Sequence, residues 1–256
     1  MSETPQDNTP NDAKDNSAEV PVRLSKLMAH AGLCSRREAD RYIEQGLVLV
    51  DGKVVSELGS RALPSQTIEL KQAAQKAQAA RATILINKPV GYVSNLPEDD
   101  YPAASELVEP ENLVGPGDAN LSWRGLAPAG RLDIDSQGLL VMTQDGRVAK
   151  QLIGENSTIE KEYLIWVEGD ITEEKLDMLR HGLWLDGLRL KRAGIKKMDD
   201  FHIQFTLTQG RKRQIRRMCD LVDLHVTRLM RVRVGKVRLE NLPVGKWRYL
   251  KDDESF

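Results

Sequence analysis

Leu24, Leu27, Met28 and Ala31 fall at i, i+3, i+4 and i+7, the apolar stripe of an amphipathic helix, and Gly32 follows as its stop. Ser35 and Glu38 then form a capping-box pair. Ala39, Tyr42 and Ile43 give a second helix its buried side before Gly46 ends it. Val48-Leu49-Val50 and Lys53-Val54-Val55 flank Asp51-Gly52, the two-residue signal of a type I′ hairpin. Together these elements predict a small module over residues 22–70. Residues 71–81 carry no large apolar side chain, so they are expected to be a linker, helical or coiled but outside any core. From Ala82 onward the chain turns to short β-rich runs at 84–86, 139–142, 163–167 and 202–207, interrupted by helical segments near 172–180 and 211–222. With few βαβ alternations, this predicts an α+β domain on a mostly antiparallel sheet over residues 82–251.

A length of 256 residues with 40% apolar composition supports a real core and excludes collagen-like, disulfide-framework and wholly disordered classes. Residues 1–21 are polar, acidic and broken by proline, and are expected to be a disordered tail. The net charge of −1 argues, on its own, against a nucleic-acid binder. The charges are segregated, however. Residues 94–119 hold seven acids and no base, whereas residues 208–238 hold ten bases against Asp220 and Asp223. Two cysteines, Cys34 and Cys219, make no framework and suit a reducing cytoplasm. No apolar run approaches the ~18 residues of a membrane span, and no signal-peptide pattern opens the chain, so a cytoplasmic protein is expected.

Chemistry concentrates in two places. The first is Gly130-Arg131-Leu132-Asp133-Ile134-Asp135-Ser136-Gln137-Gly138. If residues 131–135 are extended, alternation sets Arg131, Asp133 and Asp135 on one face, and a carboxylate beside a guanidinium stays ionised for nucleophilic or charge-stabilising work. The same residues also suit an ordinary turn, and spacing does not choose between Asp133 and Asp135. Asp-x-Asp-Ser also reads as a phosphatase nucleophile motif, but the lead-in Ala129-Gly130-Arg131-Leu132 is not an apolar strand and no second acidic pair follows. The second is the basic run from Gly210 to Met218 with Arg228, Arg231, Arg233 and Lys236 behind it, which lacks acids to pair with over its first nine residues and favours RNA phosphate. The four histidines have no metal-ligand spacing, and no phosphate-binding loop or nucleophile elbow is present. Tyr163 reads as a cross-strand aromatic, which periodicity alone prefers, or as a ring stacked under a base.

RLSKLMAHAGLCSRREADRYIEQGLVLVDGK resembles the S4 RNA-binding domain, and INKPVGYVS, GRLDIDSQGLLVMTQDG, EKEYLIWVEG, QGRKRQIRRM and LMRVRVGKVRL, in that order, resemble the RsuA family of pseudouridine synthases. SRREADRYIEQG and QIRRMCDLV are most similar to the RluF-type branch, which modifies 23S ribosomal RNA. The resemblance implies isomerisation of a flipped-out uridine, with no cofactor and no metal, by a monomer acting on 23S rRNA, with a tRNA anticodon-loop uridine as alternative or second substrate. It implies Asp133 as the catalytic carboxylate, Tyr163 against the target base, Arg216 paired with that carboxylate, and Arg131 handling the extruded nucleotide. Further RNA contacts are expected from Arg211, Arg213, Gln214, Arg217, Arg231 and Arg233, and from Arg23, Lys26, Arg36, Arg37 and Arg41 of the S4 module. The segment 95–127 departs from shorter members of the family. It is expected to be a mobile acidic loop near the catalytic cleft that repels wrong RNA folds.

Overall fold

The computed structural model describes residues 19–256 except 96, 98, 99 and 123, so most of the expected acidic tail lies outside the described residues. Its last residues are tied down: Glu19 accepts hydrogen bonds from the backbone N–H and hydroxyl of Ser65.

The N-terminal module begins with β1 (Val22–Arg23), α1 (Leu24–His30) and α2 (Arg36–Glu44). Leu24 and Met28 of the predicted stripe are fully buried, but α1 stops at His30 and Ala31 is only its cap, because Gly32 turns the chain at φ +76°. The capping box forms as expected: Ser35 Oγ accepts from the Glu38 N–H at 3.3 Å and Glu38 Oε2 from the Ser35 N–H at 2.8 Å. β2 (Val48–Val50) and β3 (Lys53–Val55) pair across Asp51-Gly52, both at positive φ, and β4 (Arg61–Ala62) and β5 (Ile68–Leu70) pair with β1 and β2.

The segment expected as a linker is largely a helix, α3 (Gln72–Ala79), and it is not outside a core. Ala74 is fully buried against the module, and Gln78 Nε2 donates to the Leu33 carbonyl at 2.7 Å. A small residue packs closely where a large one is absent, which a count of large apolar side chains misses. Beyond α3, Arg81 pairs with the buried Glu38 and donates to the Tyr42 hydroxyl.

The strands of the C-terminal domain are β6 (Thr83–Lys88), β7 (Ala127–Pro128), β8 (Gln137–Thr143), β9 (Lys161–Glu168), β10 (Trp184–Leu185), β11 (Leu188–Arg189), β12 (Gly194–Lys197), β13 (His202–Leu207), β14 (His225–Val234), β15 (Val237–Arg238) and β16 (Trp247–Tyr249). Among the described residues, nine of them form one sheet in the order β12-β13-β9-β14-β8-β6-β16, with β15 on β14 and β7 on β8. The β14–β8 pairing is parallel and the rest are antiparallel, so the sheet is mixed but mostly antiparallel, within the α+β class expected. Helices α5 (Glu173–Arg180) and α6 (Gln214–Asp220) bury Leu176, Leu179, Ile215 and Met218 in one core; α4 (Gly146–Ile153) buries Leu152 in another, with Leu139 and Val141. The Asp145-Gly146 pair, a turn signal by composition, opens helix α4. Asp145 caps it, accepting from the Arg147 N–H, and the Val148/Leu152 spacing was its signal.

Within the long acidic segment, residues 104–118 are pinned rather than free. Ala104, Leu107 and Val108 enter the core. The Glu109 carbonyl accepts from the Trp247 indole at 2.9 Å, Val114 bonds the Trp247 carbonyl, and the Asp118 carbonyl accepts from the Tyr249 hydroxyl. Its apolar residues cover β16, the last strand of the sheet, satisfying an edge that would otherwise be bare.

Candidate active site

Residues 131–135 are not a strand. Asp133 and Ser136 close a turn, the Ser136 N–H donating to the Asp133 carbonyl at 3.0 Å, and the chain becomes extended only from Gln137. The alternation that would have placed three charged side chains on one face therefore does not occur. Several elements hold this turn in place. Ser94 exchanges two hydrogen bonds with the Leu132 backbone at 2.6 and 2.8 Å, and the Gly91 N–H donates to the Ile134 carbonyl at 2.9 Å. Arg231, only 2% exposed, donates to the Arg131 and Leu139 carbonyls. Arg231 also stands opposite Tyr163 across the β14–β9 pair and opposite Gly138 across the β14–β8 pair. Gly138 is obligatory there. At φ +108° a Cβ would lie 2.3 Å from the Arg231 carbonyl oxygen.

The second support comes from α6. Arg216 donates to the Val226 carbonyl at 2.7 Å and the Asp135 carbonyl at 2.9 Å, and its Nε lies 3.2 Å from Asp135 Oδ2. Arg213, which enters α6 in the left-handed region at φ 51°, donates to the same Oδ2 at 2.8 Å. Burial pushes the Asp135 carboxyl up, but the Arg213 hydrogen bond and both guanidinium charges outweigh it and hold the group below the ordinary carboxylate range. The expected pairing of Arg216 with Asp133 is thus corrected: Arg216 pairs with Asp135. Among the described residues Asp133 makes no ion pair, and this half-buried residue stands in a loop whose carbonyls from Arg131 to Asp135 all accept hydrogen bonds. Nearby, Lys88 is fully buried and donates to the Pro89 and Tyr92 carbonyls, each at 2.8 Å. Burial depresses its ammonium to about 8, against the opposing pull of Asp133 and Asp135.

Residues 82–221 match the family model of RNA pseudouridylate synthase, and residues 22–68 match that of the S4 domain. The chain belongs to the RNA pseudouridine synthase family. It is 40% identical, over 91% of its length and 77% of the relative's, to the dual-specificity RNA pseudouridine synthase RluF of Escherichia coli strain K12. It is 34% identical, over 91% and 93%, to the ribosomal large subunit pseudouridine synthase B of Bacillus subtilis strain 168. A crystal structure of a pseudouridylate synthase superposes with a TM-score of 0.62 at 26% identity, covering 90% of this chain and 96% of that one. This RsuA-family, RluF-like synthase, an isomerase of uridine in RNA, carries its S4 domain at the N-terminal end.

In this synthase the expected RNA contacts divide by exposure. Arg23 at the end of β1 and Lys26, Arg36, Arg37 and Arg41 on α1 and α2, all of the S4 module, are open to solvent. Arg131, Arg211 and Arg213 are exposed, Arg131 and Arg213 in or against the turn at 131–136. Three others do not serve as expected. Gln214 is buried, its Oε1 accepting from the Arg211 N–H. Arg231 is buried and spent on backbone carbonyls. Arg233 is paired with Glu160 and Glu162. The charges of Arg231 and Arg233 tie strands together, which a count of basic residues along the chain does not reveal. Arg217 is half-buried and paired with Asp186. Residues that sequence reasoning passed over are Lys88, Ser94 and Gly138. The Lys-Pro-Val-Gly turn and the glycine opening β8 were the available signals. Among the described residues no group of histidine, cysteine and acidic side chains could hold a metal, and no helix is long and apolar enough to cross a membrane.

Proposed function

We propose that the chain converts a specific uridine of 23S ribosomal RNA to pseudouridine, with Asp133 as the catalytic carboxylate. The observation that carries this reading is the unpaired Asp133 beside Asp135, whose own charge is taken up by Arg213 and Arg216. One carboxylate is thereby left for the substrate while the other anchors the loop. The reaction breaks the N1–C1′ bond, turns the uracil, joins C5 to C1′ and moves the C5 proton to solvent while N1 gains one. No redox change occurs and no atom of the base is lost, so no cofactor is called for. Extruding the uridine costs a few kcal/mol, which stacking and phosphate contacts offset. Asp133 acts at C1′, either by attack or by stabilising positive charge there. Tyr163, buried on β9, is the residue assigned to the face of the base and, along a glycal route, to the C2′ proton. Arg216 acts as a positioning residue through Asp135, and Arg131 meets the extruded nucleotide. The S4 module at residues 22–70 docks the RNA, the domain at 82–251 performs the chemistry, and the enzyme works in the cytoplasm as a monomer. A tRNA uridine as second substrate is favoured by the dual specificity named for the Escherichia coli relative.

Carbodiimide primer-stop mapping of 23S rRNA and tRNA from cells with and without the gene tests this. One 23S stop should vanish without the gene and return with the wild type but not with Asp133→Asn. A complete set of stops in its absence overturns the reading, and a lost tRNA stop alone shifts the substrate to tRNA.

A further inference from the structure

We infer that the β10–β11 hairpin is a stacking platform for an unpaired base of the substrate RNA, with Trp184 as its ring and Arg189 beside it. Trp184 and Arg189 are directly opposite in the antiparallel register, so their side chains share one face of the ribbon. Trp184 is 65% exposed and Arg189 is also open to solvent. The hairpin does not owe its place to that tryptophan, because Leu185 and Leu190, at 5% and 4% exposure, anchor it in the core.

The platform is stiff. Asp186 and Gly187 both take positive φ, 53° and 71°, the backbone of a two-residue type I′ turn. Asp186 then receives both terminal nitrogens of Arg217, at 2.9 and 2.6 Å. Arg217 belongs to α6, the helix whose Arg216, with Arg213 at its N-cap, grips Asp135. One helix therefore couples the hairpin to the catalytic turn, and the ring is presented at a fixed offset from the reacting base.

The surroundings select the occupant. Asp186 is neutralised by Arg217, while Arg189, Lys191, Arg192, Arg211 and Lys212 are all exposed. Leu188 is the one other exposed large apolar side chain of the hairpin, so the ribbon carries no apolar patch of the size that a protein partner covers. A solvent-facing indole among guanidinium groups suits a base on the ring and its phosphates on the arginines. The inference rests on the RNA-modifying function proposed above and adds to it a contact that is not part of the S4 module.

The test uses the full chain with in-vitro-transcribed 23S rRNA, measuring Kd by filter binding and pseudouridine formation under single turnover. Because Trp184 is exposed, Trp184→Ala should melt at the wild-type temperature. It and Arg189→Ala should each weaken Kd and raise KM about tenfold while leaving the saturated rate within about twofold, and Trp184→Phe should stay within about threefold of wild type. Wild-type Kd in Trp184→Ala overturns the inference. If Trp184→Ala loses affinity yet the wild type forms no pseudouridine on this RNA, the contact stands and the proposed reaction falls.

Discussion

Arg216→Met separates the anchoring of the turn at 133–136 from ordinary surface charge. The Arg216 side chain is 10% exposed and supplies donors to two backbone carbonyls, of Val226 and Asp135. Methionine keeps the apolar stem but leaves both carbonyls without their charged donor. A hydrogen bond to a charged group contributes about 1.5–3 kcal/mol, so the two together account for about 3–6 kcal/mol. The ion pair with Asp135 adds little, because the Asp135 side chain is 42% exposed and Arg213 still faces it. The expected loss is about 3–5 kcal/mol, the range for breaking a buried charged contact. For a domain of this size that lowers Tm by roughly 6–20 °C. The assay is thermal unfolding followed by tryptophan fluorescence, which reports the catalytic domain because all four tryptophans, Trp123, Trp166, Trp184 and Trp247, lie within residues 82–251. Arg213→Met, whose side chain is 43% exposed, serves as the contrast and should cost about 0–1 kcal/mol. Equal Tm values for the two variants would refute the assignment of Arg216 as the buried support of the turn.

Gly138→Ala puts a Cβ 2.3 Å from the Arg231 carbonyl oxygen and 2.8 Å from its nitrogen at a φ of +108°, and should cost about 3 kcal/mol or more in urea unfolding, whereas Gly210→Ala, with open space around it, should be near neutral. Burial lowers Lys88 from 10.5 to about 8, so between pH 8 and 10 the unfolded chain binds the extra proton; stability of the wild type relative to Lys88→Met should therefore rise with pH across that window, and a fall would contradict the buried placement. RNA affinity should fall steeply with salt, and Arg211→Ala, exposed, should flatten the log–log slope by about one, while Arg233→Ala, already paired with Glu160 and Glu162, should leave it unchanged.

Much of the fold was legible because local rules and tertiary packing agree. The Ser35/Glu38 box, the Asp51-Gly52 hairpin and the run 202–207 each carry one signal, and each formed as expected. Helices α3 and α4 were obscured because alanines and a capping aspartate do their packing and termination. The candidate site was legible as a motif but not as geometry. Whether Arg216 reaches Asp133 or Asp135 depends on how the turn at 133–136 closes and on the approach of α6 from 81 residues away along the chain. The basic run likewise gave charge without direction. Arg211 and Arg213 face outward, whereas Arg231, on a strand flanked by β8 and β9, points inward.

The central claim, isomerisation through Asp133, is tested most directly by tritium release from 23S rRNA labelled at uridine C5, since forming the C5–C1′ bond expels that hydrogen. Wild type should release tritium. Asp133→Asn should release none while keeping its RNA affinity, and Asp135→Asn, which loses an anchor rather than the reacting group, should remain active at a reduced rate. Release at the wild-type rate by Asp133→Asn, or its abolition by Asp135→Asn alone, would contradict the account.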